Sequence, residues 1–466
     1  MKIHFRDMHD PIRFLLEKGS PVLVVGLGSS GIAAANLLAR MGLAVEVSER
    51  TKRQDSLVDL SKLHPSVQIH WGGHPESLFR RFPLIIISPG VPRDLEALQA
   101  AAEKGAKILG EMELAFRLTR APWVAVTGSN GKSTTVTLLD LMAREEGLRV
   151  STGGNLGTPV TRFVDKDQTP DFIVAEVSSF QLESVEVFRP AIAAMLNISP
   201  DHLDRHPDME DYVAAKLRIF SCMDESDWAV LNEDDDWITR ETGDLVTARF
   251  PFSRKRVLPE GAFVREGWIV VREGDTQYPV METGSIALAG TPNLENALAA
   301  TAMAFRMGIG FESVVKVLKT FAGLEHRMEL LGYFRGVPVY NDSKGTNTGA
   351  TVRSLEGMGS DVILILGGKD KGTSYEPLES LIRRKVTHLI LLGEAAPRMK
   401  EAFNGASEIV MVKDLDEAVR VAVERARSGS EILFSPACSS FDMFSGFEER
   451  GRVFKEAARK YMGLAR

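Results

Sequence analysis

The chain has 466 residues, 44% hydrophobic and 26% charged, with a formal net charge of -7. That length exceeds what one hydrophobic core usually serves and predicts about three domains, and the share of apolar side chains excludes a disordered chain. The acidic balance and the lack of any basic run exclude nucleic acid or an anionic membrane as the main partner.

Cys222 and Cys438 lie too far apart in sequence to form a spaced metal motif, so a reducing compartment and two small buried side chains are expected. The opening stretch MKIHFRDMHDPIRFLLEKGSP scatters charges among its apolar residues and carries no small-residue cleavage site. No apolar run approaches a membrane span. The expectation is a cytoplasmic protein with no membrane partner.

From PVLVVG (21–26) onward, short apolar runs alternate with longer amphipathic stretches: PLIIIS (83–88), WVAVTG (123–128), DFIVAEV (171–177), AIAAMLN (191–197), DVILILGG (361–368), HLILLG (388–393) and EILFSPA (431–437). This alternation predicts an α/β protein of parallel sheets wound with helices. Phosphate-loop patterns follow the strands at 21 and 123, and each such loop normally opens its own sheet. The expected organisation is a Rossmann-like N-terminal domain (1–118), a central P-loop ATPase-type domain (119–323) and a Rossmann-like C-terminal domain (324–466).

In GLGSSG, Gly26, Gly28 and Gly31 stand between a strand and a helix-like run, where the backbone can turn sharply and offer helix amides to a diphosphate. Glu49, at the end of VEVSER, keeps an NAD enzyme open as a reading, and a tight turn without ligand is the bland one.

The stretch VAVTGSNGKSTT (124–135) is more specific. Amides around Gly128, Ser129, Asn130 and Gly131 can face phosphate oxygens, Lys132 can reach the outer phosphates, and Ser133 or Thr134 can bind magnesium. The usual longer pattern has glycine where this chain has Val126, so the loop is a shortened variant. Glu176, in DFIVAEVSS, can supply a hard oxygen to that magnesium. Its bland alternative is an acid at a solvated strand end.

After LNISPDHLDRHP comes DYVAAKLRIFS, in which Tyr212, Val213, Ile219 and Phe220 share a helical face centred on Lys216. Desolvation there would favour the neutral amine, the form that reacts with carbon dioxide to give a carbamate. A snorkelling lysine is the alternative.

TGSNGKST, the strand with Glu176, DHLDRHP, AAKLRIF, GTPNLENALAA, GLEHRME and NDSKGTNTGAT, in that order, resemble the Mur ligase family, ATP-dependent amino-acid ligases of peptidoglycan precursor synthesis. The similarity runs from about residue 20 to 455, and SSFQLE, GGKDKG and SPACSSFD look like its D-glutamate-adding member. The resemblance implies ATP and Mg2+ as cofactors, UDP-N-acetylmuramoyl-L-alanine and D-glutamate as substrates, and a monomer. It places a carbamylated lysine at Lys216, with Ser133, Glu176 and His202 as the other metal-site residues.

Asn293 and Asn296 match adenine-side residues, for which helix capping after Thr291 and Pro292 is the bland alternative. Arg327, Asp342 and Lys344 match third-domain residues that close over ATP. Gly28, Ser29, Ser30, Arg50, Asn155 and Gln181 match contacts to the uridine precursor. Where some relatives carry aspartate at the end of the second strand, this chain has Ser48 and then Glu49. Thr346, Lys371, Ser440 and Phe447 match the glutamate pocket.

A folylpolyglutamate synthase-like ligase would share the loop and the lysine but not GLGSSG. An NAD oxidoreductase leaves Lys132, Lys216 and the third domain idle, and a non-catalytic ATP switch leaves the glutamate pocket unexplained.

Overall fold

The computed structural model describes residues 10–56, 58–155, 157–164, 169–201, 205–288, 290–370, 372 and 374–463. The chain divides into two compact units, Met1–Phe321 and Ala322–Arg466.

The first unit opens with strands β1 (Val22–Val25), β2 (Val45–Glu49), β3 (Gln68–Trp71), β4 (Leu84–Ile87) and β5 (Lys107–Gly110), paired in the order β3-β2-β1-β4-β5 and parallel throughout. β1 and β4 read as unbroken apolar runs because both faces of the sheet are covered. Helix Ser29–Arg40 lays its alanines and leucines on one of those faces.

A second parallel sheet combines β6 (Trp123–Thr127), β7 (Val150–Gly154), β8 (Phe172–Glu176), β9 (Ile192–Met195), β10 (Trp228–Leu231) and β11 (Ala248–Arg249) in the order β11-β10-β9-β6-β8-β7. The chain leaves β6 toward one edge through β7 and β8 and returns on its other side through β9. The carboxyl end of β6 is therefore a topological switch point, the place where such sheets bind ligands.

A third, four-stranded sheet follows: β12 (Phe252–Ser253), β13 (Gly261–Arg265), β14 (Trp268–Glu273) and β15 (Thr276–Glu282), with β13, β14 and β15 antiparallel. None of the apolar runs read from the sequence covers it. β15 mixes exposed residues with the partly buried Tyr278 and Val280 and the buried Met281, so no continuous apolar run marks it.

The second unit holds one sheet of β16 (Glu329–Phe334), β17 (Val337–Asn341), β18 (Val362–Gly367), β19 (Val386–Leu392), β20 (Glu408–Met411) and β21 (Glu431–Phe434), ordered β16-β17-β21-β18-β19-β20. Only the edge pair β16 and β17 is antiparallel among these strands. Apolar clusters cover both faces of it, as the alternation of strand and helix requires.

Candidate active site

β6 is buried along its whole length and delivers the chain into the phosphate loop, which runs into helix Lys132–Glu145. Gly131 has φ 84°, and a Cβ there would lie 2.1 Å from Oδ1 of Asn296, so only glycine fits. The end of β9 holds the loop from the side. Ser129 N donates to Asn197 O (2.9 Å), Asn130 N donates to Asn197 Oδ1 (2.8 Å), and Asn197 Nδ2 returns a bond to Asn130 O (3.1 Å). The sequence reading did not single out Asn197. Its position as the last residue of the run AIAAMLN, whose strand pairs with β6, is the signal that marks it.

Gly131, the residue before helix Lys132–Glu145, brings no side-chain cap, and the amides at the start of such a helix suit an anion. Lys132 Nζ donates to Gly128 O (2.7 Å) and Ser129 O (3.0 Å), which places its charge over the loop.

Glu176 closes β8 and is 3% exposed. Its Oε2 accepts from Ser133 Oγ at 2.7 Å and its Oε1 from Asn155 Nδ2 at 2.8 Å, which rules out the solvated strand-end alternative. A buried carboxylate and hydroxyl this close form a hard-oxygen pair suited to a divalent cation beside a phosphate. Among the described residues no group of three His, Cys, Asp or Glu side chains gathers as a metal site, and His202 lies outside the described residues.

The helix carrying Lys216 spans Met209–Leu217 and tightens into a 3-10 turn at Arg218–Phe220, with Tyr212, Val213, Ile219 and Phe220 buried around the lysine. Lys216 is 1% exposed, donates to Gly128 O at 3.0 Å and stands 4.5 Å over the Tyr212 ring. The amine does not snorkel to solvent. Burial drives its pKa well below the usual lysine range and the charge of Lys132 adds to the effect, against the pull of Asp201 and Glu176. His206, the other histidine of DHLDRHP, is buried between Asp211 (2.7 Å) and Ser179 (3.0 Å) and braces this helix against the segment after β8.

Helix Thr291–Arg306 is preceded by Gly290 with no side-chain cap, so neither Asn293 nor Asn296 is its N-cap. Asn296 is buried against Gly131, and its Nδ2 lies 3.5 Å from Asn293 Oδ1.

At the carboxyl ends of the first sheet a cavity of about 630 Å³ is lined by Gly26, Gly28, Ser29, Ser30, Glu49 and Arg50, together with His74 and the segment Ser88–Pro92. Glu49 ties the end of β2 to the glycine loop, accepting from Leu27 N (2.8 Å) and Thr51 N (2.8 Å). Burial would raise its pKa, but the amides of Thr51 and Leu27 hold it below the usual value. Gln181 is buried, its side chain closing a capping box with Ser178.

In the second unit, Asp342 follows β17 and accepts from Ser354 Oγ (2.7 Å), Ser435 Oγ (2.7 Å) and Met328 N (3.2 Å), which anchors the turn holding Arg327. Burial raises its pKa. Lys344 N donates to His326 O (2.9 Å), its Nζ lies 5.9 Å from the Phe447 ring, and Thr346 N donates to Lys344 O (2.8 Å). Ser440 is buried in the loop after β21, and Lys371 lies outside the described residues.

Arg450, which the sequence reading missed, is 1% exposed. It donates to Ser343 O (2.8 Å), Ser343 Oγ (3.1 Å) and Cys438 O (3.0 Å), tying the loop with Lys344 and Thr346 to the loop with Ser440. Burial lowers its pKa to about 10, still above neutrality. Its signal was the one that marks Lys216, a cation on the apolar face formed by Gly451, Phe454, Ala457 and Ala458.

Family models match three consecutive stretches: "Mur ligase MurD-like, N-terminal domain" at 20–110, "Mur ligase middle domain" at 126–304 and "Mur ligase, glutamate ligase domain" at 326–438. A UDP-N-acetylmuramoylalanine--D-glutamate ligase of Acidobacterium capsulatum is 42% identical over 96% of this chain and 98% of its own length. The ligase of the same name from Syntrophotalea carbinolica is 43% identical over 96% and 98%. Among solved structures, the UDP-N-acetylmuramate-alanine ligase of Thermotoga maritima shares the fold with TM-score 0.59 at 17% identity, covering 95% of this chain and 99% of that one. The MurF ligase of the same organism, solved with ADP, gives TM-score 0.54 at 17% identity over 81% and 95%. With a shortened phosphate loop braced by Asn197, a carboxylate on its serine, and family models and relatives that span nearly the whole sequence, the chain belongs to the Mur ligase family.

Proposed function

We propose that this chain is an ATP-dependent ligase that joins D-glutamate to UDP-N-acetylmuramoyl-L-alanine through an acyl phosphate, releasing ADP and phosphate. The observation that carries the ATP half of this reading is the convergence of Lys132, the Ser133–Glu176 pair and buried Lys216 on one phosphate loop. The substrates follow from the names of relatives that match along nearly their full length.

A carboxylate resists attack by an amine because it is anionic and its leaving group would be oxide. Transfer of the γ-phosphoryl group of ATP to the precursor's carboxylate supplies a phosphate leaving group and leaves ADP. The amine of D-glutamate then attacks the acyl carbon, the carbon–oxygen bond to phosphate breaks, and the ammonium proton passes to solvent. Phosphoryl transfer of this kind rests on positioning and charge neutralisation. Lys132 neutralises the outer phosphates, the amides at the start of helix Lys132–Glu145 hold them, and Asn197, which takes the Ser129 and Asn130 amides, fixes the loop.

Mg2+ would be held by Ser133 and Glu176, with a carbamate on Lys216 and with His202, and would neutralise phosphate charge when bound. Asn293 and Asn296 serve the adenine side, and Arg327, Asp342 and Lys344 serve the nucleotide. Thr346, Lys371, Ser440 and Phe447 serve D-glutamate. Gly28, Ser29, Ser30, Arg50, Asn155 and Gln181 serve the uridine precursor. The division 1–118, 119–323 and 324–466 assigns precursor, ATP and amino acid to one domain each. A cytoplasmic monomer fits this reading, and among the described residues no helix is long and apolar enough to cross a membrane. The test is ADP release with each substrate omitted in turn.

A further inference from the structure

Ser48 stands one residue before the end of the second strand of the first sheet, and the neighbouring third strand leads to His74, which lines the cavity. Ser48 is fully buried, and its Oγ lies 3.2 Å from Gly73 O and 2.8 Å from His74 Nδ1. One hydroxyl carries one hydrogen. The Gly73 carbonyl can only accept, and when the hydroxyl donates to it the hydroxyl oxygen takes the Nδ1 hydrogen of His74. Nε2 is then the unprotonated nitrogen, and among the described residues no group lies within hydrogen-bond distance of it. Phe79 holds the ring edge-on, with centroids 5.8 Å apart. Burial lowers the His74 pKa, Glu49 opposes that and Arg50 adds to it.

The sheet order sets which end of a nucleotide meets this acceptor. The glycine loop after β1, with its uncapped helix, suits the diphosphate. On the β4 side, the segment after Ile87 touches the central sheet's elements: Arg93 donates to Glu183 O and Arg205 donates to Pro89 O at 3.5 Å. The acyl end of the precursor must leave on that side to reach the phosphate loop. The nucleoside therefore runs the other way, past the end of β2 to the end of β3, where His74 stands.

We propose that His74 Nε2 accepts the N3–H of uracil and selects uracil over cytosine. Uracil presents a donor at N3, whereas cytosine presents an acceptor there. The inference rests on the reading of this cavity as the uridine diphosphate site.

The test is calorimetric binding of UDP, CDP and N3-methyl-UDP to the full chain. The wild type binds UDP at least about tenfold more tightly than either analogue, because a site built to accept an N–H rejects ligands lacking it. His74→Ala weakens UDP about tenfold and brings UDP and N3-methyl-UDP within about twofold, with the KM for ATP unchanged. If that variant does not fold, Ser48→Ala, which frees the tautomer, must narrow the same ratio. UDP binding with discrimination retained in these variants, or equal wild-type affinity for UDP and N3-methyl-UDP, overturns the role of His74 and leaves the cavity's assignment standing. Failure of the wild type to bind UDP at all overturns both.

Discussion

The buried amine of Lys216 donates a 3.0 Å hydrogen bond to the carbonyl oxygen of Gly128, so the helix that carries the lysine is pinned to the first residue of the phosphate loop. The lysine of that loop, Lys132, donates to the same oxygen at 2.7 Å. Two amines on one carbonyl repel when both are charged, and Lys216, the more buried, is the one driven toward neutrality.

A neutral amine beside a phosphate loop adds carbon dioxide to give a carbamate and a proton. Depleting bicarbonate should therefore slow the enzyme, and Lys216→Ala should be inactive and partly rescued by short-chain carboxylic acids. Unchanged turnover in bicarbonate-free buffer, with no adduct detected at Lys216, counts against the carbamate.

Lys132→Ala should lower turnover by about a hundredfold or more, since it removes a charge-stabilising donor from phosphoryl transfer. Lys132 is only partly buried, so thermal unfolding should be nearly unchanged. A folded variant that forms ADP at a near-normal rate would remove the loop from the mechanism.

Gly131→Ala should raise the KM for ATP and lower kcat together. The new Cβ would sit 2.1 Å from Asn296 Oδ1 in a left-handed backbone, and such strain costs about 1 to 3 kcal/mol before any displacement of Asn296. Steady-state kinetics with ATP varied would expose a loop that tolerates alanine.

How legible these features are in sequence follows from the range of the interactions. The phosphate loop is legible because strand, glycines and lysine are contiguous, and Lys216 because its conflict with an apolar face is local to one helix. Asn197 and Arg450 act across 67 and 107 residues of chain, and only the strand order brings them to the loops they hold. The sheet at Phe252–Glu282 escapes because its outer strand leaves residues in solvent. The Ser48–His74 pair needs the register of β2 and β3, which no local pattern reports.

Glu111 gives a pH-dependent stability. Its Oε1 accepts from Thr161 N and Thr161 Oγ1, both at 2.7 Å, while Oε2 is buried with no hydrogen-bond partner among the described residues. Burial raises its pKa to about 7, against the lowering effect of the Thr161 bonds. The folded state then binds more protons than the unfolded one between about pH 4.5 and 7, so this contribution is full below that window and lost as pH rises through it. Glu111→Gln should flatten the dependence and gain on the wild type by at most on the order of 3 kcal/mol at pH 8. Parallel stability curves for the two proteins from pH 5 to 8 would place the titration elsewhere.

Amide formation between UDP-N-acetylmuramoyl-L-alanine and D-glutamate, driven by ATP, is the reaction that the purified chain is expected to carry out. Its most direct measurement is ADP release by the purified chain with the complete mixture and with the precursor, D-glutamate or ATP omitted, alongside mass analysis of the product. Sustained ADP release is expected only in the complete mixture, with one amide formed per ADP, and release is lost when L-glutamate replaces D-glutamate. Equal ADP release without D-glutamate, or with a folate acceptor in place of the uridine precursor, would contradict it.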